Sequence, residues 1–188
     1  MKTWYLWGYM GSGKSSLGRA VARKLNLEFK DLDHIIAQES GMTIPEFMQQ
    51  RGELAFRKLE RQLLLEHQNF EGILSCGGGT PCYYDNADWM VEHGHTIYLS
   101  ASVSWLHERL KASRARGTKR PLLSGVADAD LAEFIAKHLF ERLPFYQKSQ
   151  YKVAVDKNSS DQVVAMLAEL IQTKYVAHGV DQSTSTRS

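Results

Sequence analysis

Gly8-Tyr9-Met10-Gly11-Ser12-Gly13-Lys14-Ser15 spells GxxxxGKS in full, directly after the apolar stretch from Trp4 to Trp7. The chemistry this spacing serves is the cradling of a polyphosphate: glycines at 8, 11 and 13 let successive backbone N–H groups turn inward on an anion. Gly11, Ser12, Gly13, Lys14, Ser15 and Ser16 make up the second half of this loop and the residue after it. Within that set Lys14 adds a mobile positive charge and the Ser15 hydroxyl is a ligand for Mg2+. Residues 16–25 read as a helix whose N-terminal dipole strengthens the same anion site. The loop marks a site for a nucleoside triphosphate.

Transfer of a phosphoryl group from such a donor asks for cations, a metal ion and a group that orients the acceptor. Arg120, in the basic stretch 111–121, could close over the phosphates, and one acid of Asp31-Leu32-Asp33 could hold an acceptor hydroxyl. If a strand continues that far, Asp31 and Asp33 share a face, one toward the metal's water shell and one toward substrate. The competing reading is that Asp33 caps a helix starting near His34 while Asp31 is solvated. His34 ranks behind Asp33 as a base. Arg57 has Glu53 at i−4 and Glu60 at i+3 on a helical stretch, which fits an ordinary surface ion pair, and Arg142 beside Glu141 reads similarly. The functional alternative is that two planar guanidinium groups converge on a substrate carboxylate. Gly77, Gly78 and Gly79 offer backbone that a small ligand can approach closely. His93 and His95 read as loop residues.

The elements that must position these residues alternate in type. Apolar segments at 2–7, 27–30, 72–75, 96–99 and 152–155 predict five strands, and the intervening lengths suit crossover helices, so a parallel sheet covered on both faces is expected. Thr43 with Glu46, and Ser159 with Gln162, spell capping boxes, and Pro45 is tolerated in a first helical turn. In such a sheet ligands sit beyond the carboxyl ends of the strands, where the phosphate loop, the Asp31–Asp33 segment, the glycine triplet and the basic stretch all fall. Residues 111–121 show little apolar periodicity and read as a mobile cationic lid. One domain over 1–175 is expected, with 176–188 a polar, frayed tail.

A chain of 188 residues carrying a net charge of +2 gives no footprint for nucleic acid, and no apolar run is long enough to cross a bilayer. A cytoplasmic monomer acting on small molecules is the expectation. Cys76 and Cys82 lack metal-ligand spacing and read as reduced thiols, Cys76 buried at a strand end.

Taken together, GYMGSGKSS at 8–16, DLD at 31–33, FRKLE at 56–60, SCGGG at 75–79, KRPLL at 119–123 and ERLPFY at 141–146 resemble shikimate kinase over nearly the whole chain. The resemblance implies a P-loop α/β fold of the nucleoside monophosphate kinase type, with an acceptor-binding segment at about 33–61 and a lid at about 112–126. It implies ATP-dependent phosphorylation of the 3-hydroxyl of shikimate. Asp33, Arg57, Gly78 and Arg142 would contact shikimate, with both arginines on its carboxylate and Asp33 as the acceptor-orienting base. The ATP phosphates would be held by Gly11–Ser16, Mg2+ would lie on Ser15 with Asp31 in its outer shell, Arg120 would close on ATP, and Arg114 would stack on adenine. This chain departs from the pattern at Ser159, where relatives often carry a basic residue and Lys157 lies close by, and at Thr80-Pro81-Cys82, where an aliphatic residue is usual and the loop is expected to be stiffer. A kinase for another acidic polyol, such as gluconate, and an ATP-sensing module without catalysis are the alternative readings.

Overall fold

Trp4, Tyr5, Leu6 and Trp7 are all buried, and a strand with no exposed face has to lie in the middle of a covered sheet. In the computed structural model, which describes residues 2–117, 121–123 and 125–183, that is where it lies. Strands β1 (Trp4–Trp7), β2 (Glu28–Asp31), β3 (Gly72–Ser75), β4 (His95–Ser100) and β5 (Tyr151–Ala154) form one sheet in the order β2-β3-β1-β4-β5. Every pairing is parallel, with Tyr5 opposite Leu74 on one side and Thr96 on the other.

Side chains alternate along each strand, and the alternation divides the core in two. Trp4 and Leu6 point with Ile73, Ile97 and Leu99 into a layer closed by Leu17 and Val21 of α1 (Lys14–Leu25) and by Val163, Leu167 and Ile171 of α7 (Ser160–Ser183). Tyr5 and Trp7 point with Leu74 and Tyr98 into the other layer. That layer is covered by α2 (Leu32–Ser40), α3 (Ile44–Glu66), α4 (Asn86–His93), α5 (Val103–Ala115) and α6 (Leu131–Tyr146). The expected fold, a parallel five-stranded sheet with helices on both faces, is the one found.

Local signals place several boundaries. Thr43 Oγ1 accepts from the Glu46 amide and Glu46 Oε2 accepts from the Thr43 amide at 2.9 Å, so α3 begins with a capping box and Pro45 in its first turn. Ser159 and Gln162 exchange the same two bonds at the start of α7. Gly52, at φ 80 and ψ 166, breaks α3 into two rods.

Four details differ from expectation. Strand β2 stops at Asp31, and it is Asp31 that caps α2, accepting from the Asp33 amide at 3.1 Å; Asp33 sits in the first helical turn, so the two acids do not share a strand face and Asp33 is not the cap. The basic stretch is helical as far as Ala115, because Leu106 and Leu110, four residues apart, are buried and carry α5 onward. His95 opens β4, its amide bonded to the Thr3 carbonyl at 2.9 Å and its ring stacked on Trp4 at 4.4 Å. The boundary at 175 falls inside α7, whose backbone continues to Ser183.

Thr43→Ala removes the hydroxyl that caps α3. The expected outcome is a melting temperature about 2–4 °C below that of the unaltered protein, read by calorimetry; an unchanged midpoint would show that the capping box contributes nothing.

Candidate functional site

The carboxyl ends of β1 and β3 lie side by side, tied by the Cys76 amide donating to the Leu6 carbonyl at 3.1 Å. The segments leaving them, the glycine-rich loop and the glycine triplet, therefore form two walls of one crevice. Gly13 is the N-cap of α1 at φ 95, a left-handed conformation that L side chains rarely adopt, and this lets α1 start immediately at Lys14. Lys14 Nζ donates to the carbonyls of Gly8 at 2.8 Å and Tyr9 at 3.1 Å, holding its charge across the loop. Arg109 of α5 donates from Nε to the Gly11 carbonyl at 2.9 Å and adds a second cation on the loop's outer side. Gly11, Gly13, Lys14, Ser15, Ser16 and Arg109 line a hollow of about 300 Å³.

At one corner of this hollow Ser15 Oγ donates to Asp31 Oδ2 at 2.5 Å and lies 3.4 Å from Ser75 Oγ. A hydroxyl beside a carboxylate is a set of hard oxygens, the donors that Mg2+ takes together with phosphate oxygens and water. These residues fit that ion.

A second hollow, of about 470 Å³, adjoins the first. Met10, Asp33 and Gly78 line both. Arg57 and Arg142 face into it, 7% and 9% exposed. The spacing suggested surface ion pairs for both, and those of Arg57 exist: Nη1 donates to Glu60 at 2.8 Å and Nη2 to Glu53 at 3.3 Å. They are not both at the surface, since Glu60 is only 1% exposed and its other oxygen accepts from Thr80 Oγ1 at 2.6 Å. Burial works against the Arg57 charge, but Glu60 and then Glu53 hold it protonated.

The glycine triplet is explained by contact. A β-carbon at Gly77 would lie 2.7 Å from Asp33 Oδ1, one at Gly78 3.2 Å from Arg142 Nη1, and one at Gly79 2.8 Å from Arg57 Nη2. Each glycine makes room for one functional side chain. Tyr146 fixes the middle of the triplet, its hydroxyl donating to the Gly78 carbonyl at 2.5 Å.

Asp33 lies where the two hollows meet, its side chain open to the cleft. Desolvation at the cleft floor is the main cause that raises its pKa to about 6; the neighbouring charges of Asp31 and Glu60 push the same way, while Lys14 and Arg57 oppose them.

Sequence spacing alone did not reveal Arg109, Tyr83, Tyr146 or the burial of Glu60. Tyr83 stacks on Arg57 and Tyr146 pins Gly78, but each reads locally as an ordinary aromatic. Arg114 pairs with Asp128 and donates to the Leu123 carbonyl at 3.2 Å. Arg120 lies outside the described residues. His34 belongs instead to a hollow of about 860 Å³ lined by Ser15, Asp31, Arg19, Lys30 and His67 but by neither Arg57 nor Arg142.

A family model described as shikimate kinase matches residues 10–172. A shikimate kinase of Bacteroides thetaiotaomicron is 43% identical over 154 residues, covering 81% of this chain and 86% of that protein. One from Flavobacterium psychrophilum is 38% identical over 174 residues, covering 91% and 99%. The crystal structure of shikimate kinase from Bacteroides thetaiotaomicron superposes with a TM-score of 0.82 at 39% identity, over 90% of this chain and 98% of that one. That of Acinetobacter baumannii, in complex with shikimate, gives 0.81 at 28% identity over 93% and 94%.

Titration of the Asp33 carboxyl, followed by carbon NMR, should give a midpoint near 6, and Asp31→Asn should lower it by removing a like charge while keeping a side chain able to cap α2. A midpoint in the ordinary aspartate range in both proteins would contradict this account of the cleft floor.

Proposed function

The chain belongs to the shikimate kinase family, and from that premise we infer its reaction: ATP-dependent transfer of a phosphoryl group to the 3-hydroxyl of shikimate, in aromatic amino acid biosynthesis. The observation that carries this reading to particular residues is the floor of Met10, Asp33 and Gly78 shared by a cationic phosphate cradle and a cleft holding two arginines. One side suits a triphosphate, the other a small acid, and among the described residues the acidic group on the common floor is Asp33.

The roles follow from charge and position. Arg57 and Arg142 bind the shikimate carboxylate, which fixes the ring and turns its hydroxyls toward Asp33. Asp33 in its ionised form accepts the proton of the 3-hydroxyl as that oxygen attacks the γ-phosphorus of ATP and the bond from phosphorus to the β,γ-bridging oxygen breaks. Lys14, aided by the loop amides, balances negative charge that moves onto the leaving diphosphate. Ser15, with Asp31 through water, would hold Mg2+, which when bound neutralises phosphate charge. Arg109, on the Gly11 carbonyl, keeps the loop in shape. Arg114 and Arg120 are assigned to the nucleotide by family resemblance, Arg120 as the residue that closes on the phosphates. We place the protein in the cytoplasm as a monomer, on its composition and modest charge; among the described residues no helix is long and apolar enough to cross a membrane.

A coupled assay of ADP release over a panel of shikimate, gluconate and nucleoside monophosphates tests the reading. Turnover is expected with shikimate, and none with shikimate beside turnover with another acid would reject it. Because Asp33 works ionised and protonates as pH falls through about 6, kcat/KM for shikimate should decline on the acid side of that value.

Asp33→Asn is expected to lower kcat about a hundredfold or more with a much smaller change in KM. Its raised pKa means that the folded state binds the Asp33 proton more tightly than the unfolded chain does. Stability from this group is therefore gained as pH falls from 6 toward the unfolded value and is missing at neutral pH. The Asn variant should then melt no lower than the unaltered enzyme at neutral pH; a large drop would mark Asp33 as a structural residue.

Arg57→Ala should raise KM for shikimate sharply and leave KM for ATP similar, and equal loss of both would contradict the carboxylate role.

A further inference from the structure

Between the glycine triplet and α4 the chain takes a course that phosphoryl transfer itself does not require. Thr80, Pro81 and Cys82 make one 3-10 turn, pinned at both ends. Thr80 Oγ1 donates to buried Glu60, its carbonyl accepts from Asn86 Nδ2 at 2.8 Å, and Asn86 Oδ1 accepts from Arg61 at 2.7 Å. Between the pins Tyr83 is extended and Tyr84 is left-handed, at φ 51. A bulky residue there is a conformational outlier, and with 56% of its surface exposed Tyr84 is not held in place by its own burial. Strain of this kind persists where the surroundings demand it, commonly beside a ligand.

What the strained turn achieves is the placement of Tyr83. Its ring centre lies 3.8 Å from Arg57 Cζ, and Phe56 lies near the same guanidinium at 4.9 Å. Its hydroxyl donates to Glu53 Oε1 at 2.6 Å, the oxygen that also accepts from Arg57 Nη2. Arg57 Nε is buried with no acceptor among the described residues. Glu60 and Glu53 fix two points of the guanidinium, and a planar ring beneath it fixes the plane. Tyr83 and Glu53 both line the acceptor cleft.

We propose that Tyr83 is a positioning residue that sets selectivity for an acid acceptor: its ring orients the Arg57 plane and its hydroxyl holds Glu53 at the guanidinium's edge. A fork fixed in this way favours a planar carboxylate over the corresponding ester, because the ordering of Arg57 is complete before the acceptor arrives. The inference rests on the acceptor assigned above.

The test is steady-state kinetics on the full chain with shikimate and with shikimate methyl ester, at saturating ATP, for the unaltered protein, Tyr83→Ala and Tyr83→Phe. Tyr83→Ala should raise KM for shikimate about tenfold and narrow the preference for acid over ester by a similar factor. KM for ATP and kcat should stay within about twofold. Tyr83→Phe keeps the ring and should recover all but about threefold of the loss. Equal losses for acid and ester, an unchanged preference, or a Phe variant no better than Ala would each overturn the proposal. If Tyr83→Ala does not fold, Tyr83→Leu fills the space without a ring face and carries the same comparison. An unaltered protein inert toward shikimate sinks the functional reading, whereas an active one whose selectivity ignores Tyr83 sinks this inference alone.

Discussion

A guanidinium withdrawn from water must have a counter-charge, and the buried carboxylate of Glu60 is the one on which the acceptor cleft depends. One oxygen holds Arg57 and the other holds Thr80, so a single side chain fixes both the anion-binding group and the turn that follows the glycine triplet. Depriving such a pair of one partner costs about 3–5 kcal/mol, because the survivor is left buried and unpaired. The same negative charge reaches further: it helps to raise the pKa of Asp33, and it adds to the burial that keeps the Cys76 thiol protonated. The same surroundings leave the neighbouring sulfur an inert thiol.

The donor side rests on backbone. Strand β1 is central, and the chain leaves it first toward β2 and β3 and later toward β4, so a crevice opens at its carboxyl end. Loop amides and the first turn of α1 fill that crevice with partial positive charge before any side chain contributes. The two sides meet because β1 and β3 are neighbours in the sheet, which sets Gly78 beside the loop that carries Met10.

How much of this was readable from the chain depended on whether a signal is local. Strands β1, β3 and β4 were legible because parallel strands buried on both faces are short apolar runs, and the helix starts at Thr43 and Ser159 because a cap is written within four residues. The phosphate loop was legible because its glycines and lysine are contiguous. Glu60 was legible as a partner of Arg57 but not as a buried one, since spacing along a helix gives distance and not depth. The cap of α2 fell on Asp31 rather than Asp33 because β2 ends two residues before a strand-face argument needs it to. Arg109 and Tyr83 reach the site only through the crossing of α5 over the phosphate loop and the packing of a turn against α3, and no short-range pattern records either.

The break in α3 at Gly52 divides the lining of the second hollow between two pieces of chain. Upstream, Ile44 and Met48 supply an apolar wall; downstream, Glu53, Phe56, Arg57 and Glu60 hold the ionic machinery. A continuous rod would transmit every adjustment of the wall to the arginine. With the rod interrupted, and on the acceptor role proposed above for this cleft, a side chain of the apolar wall can be exchanged without turning the helical segment that carries Arg57.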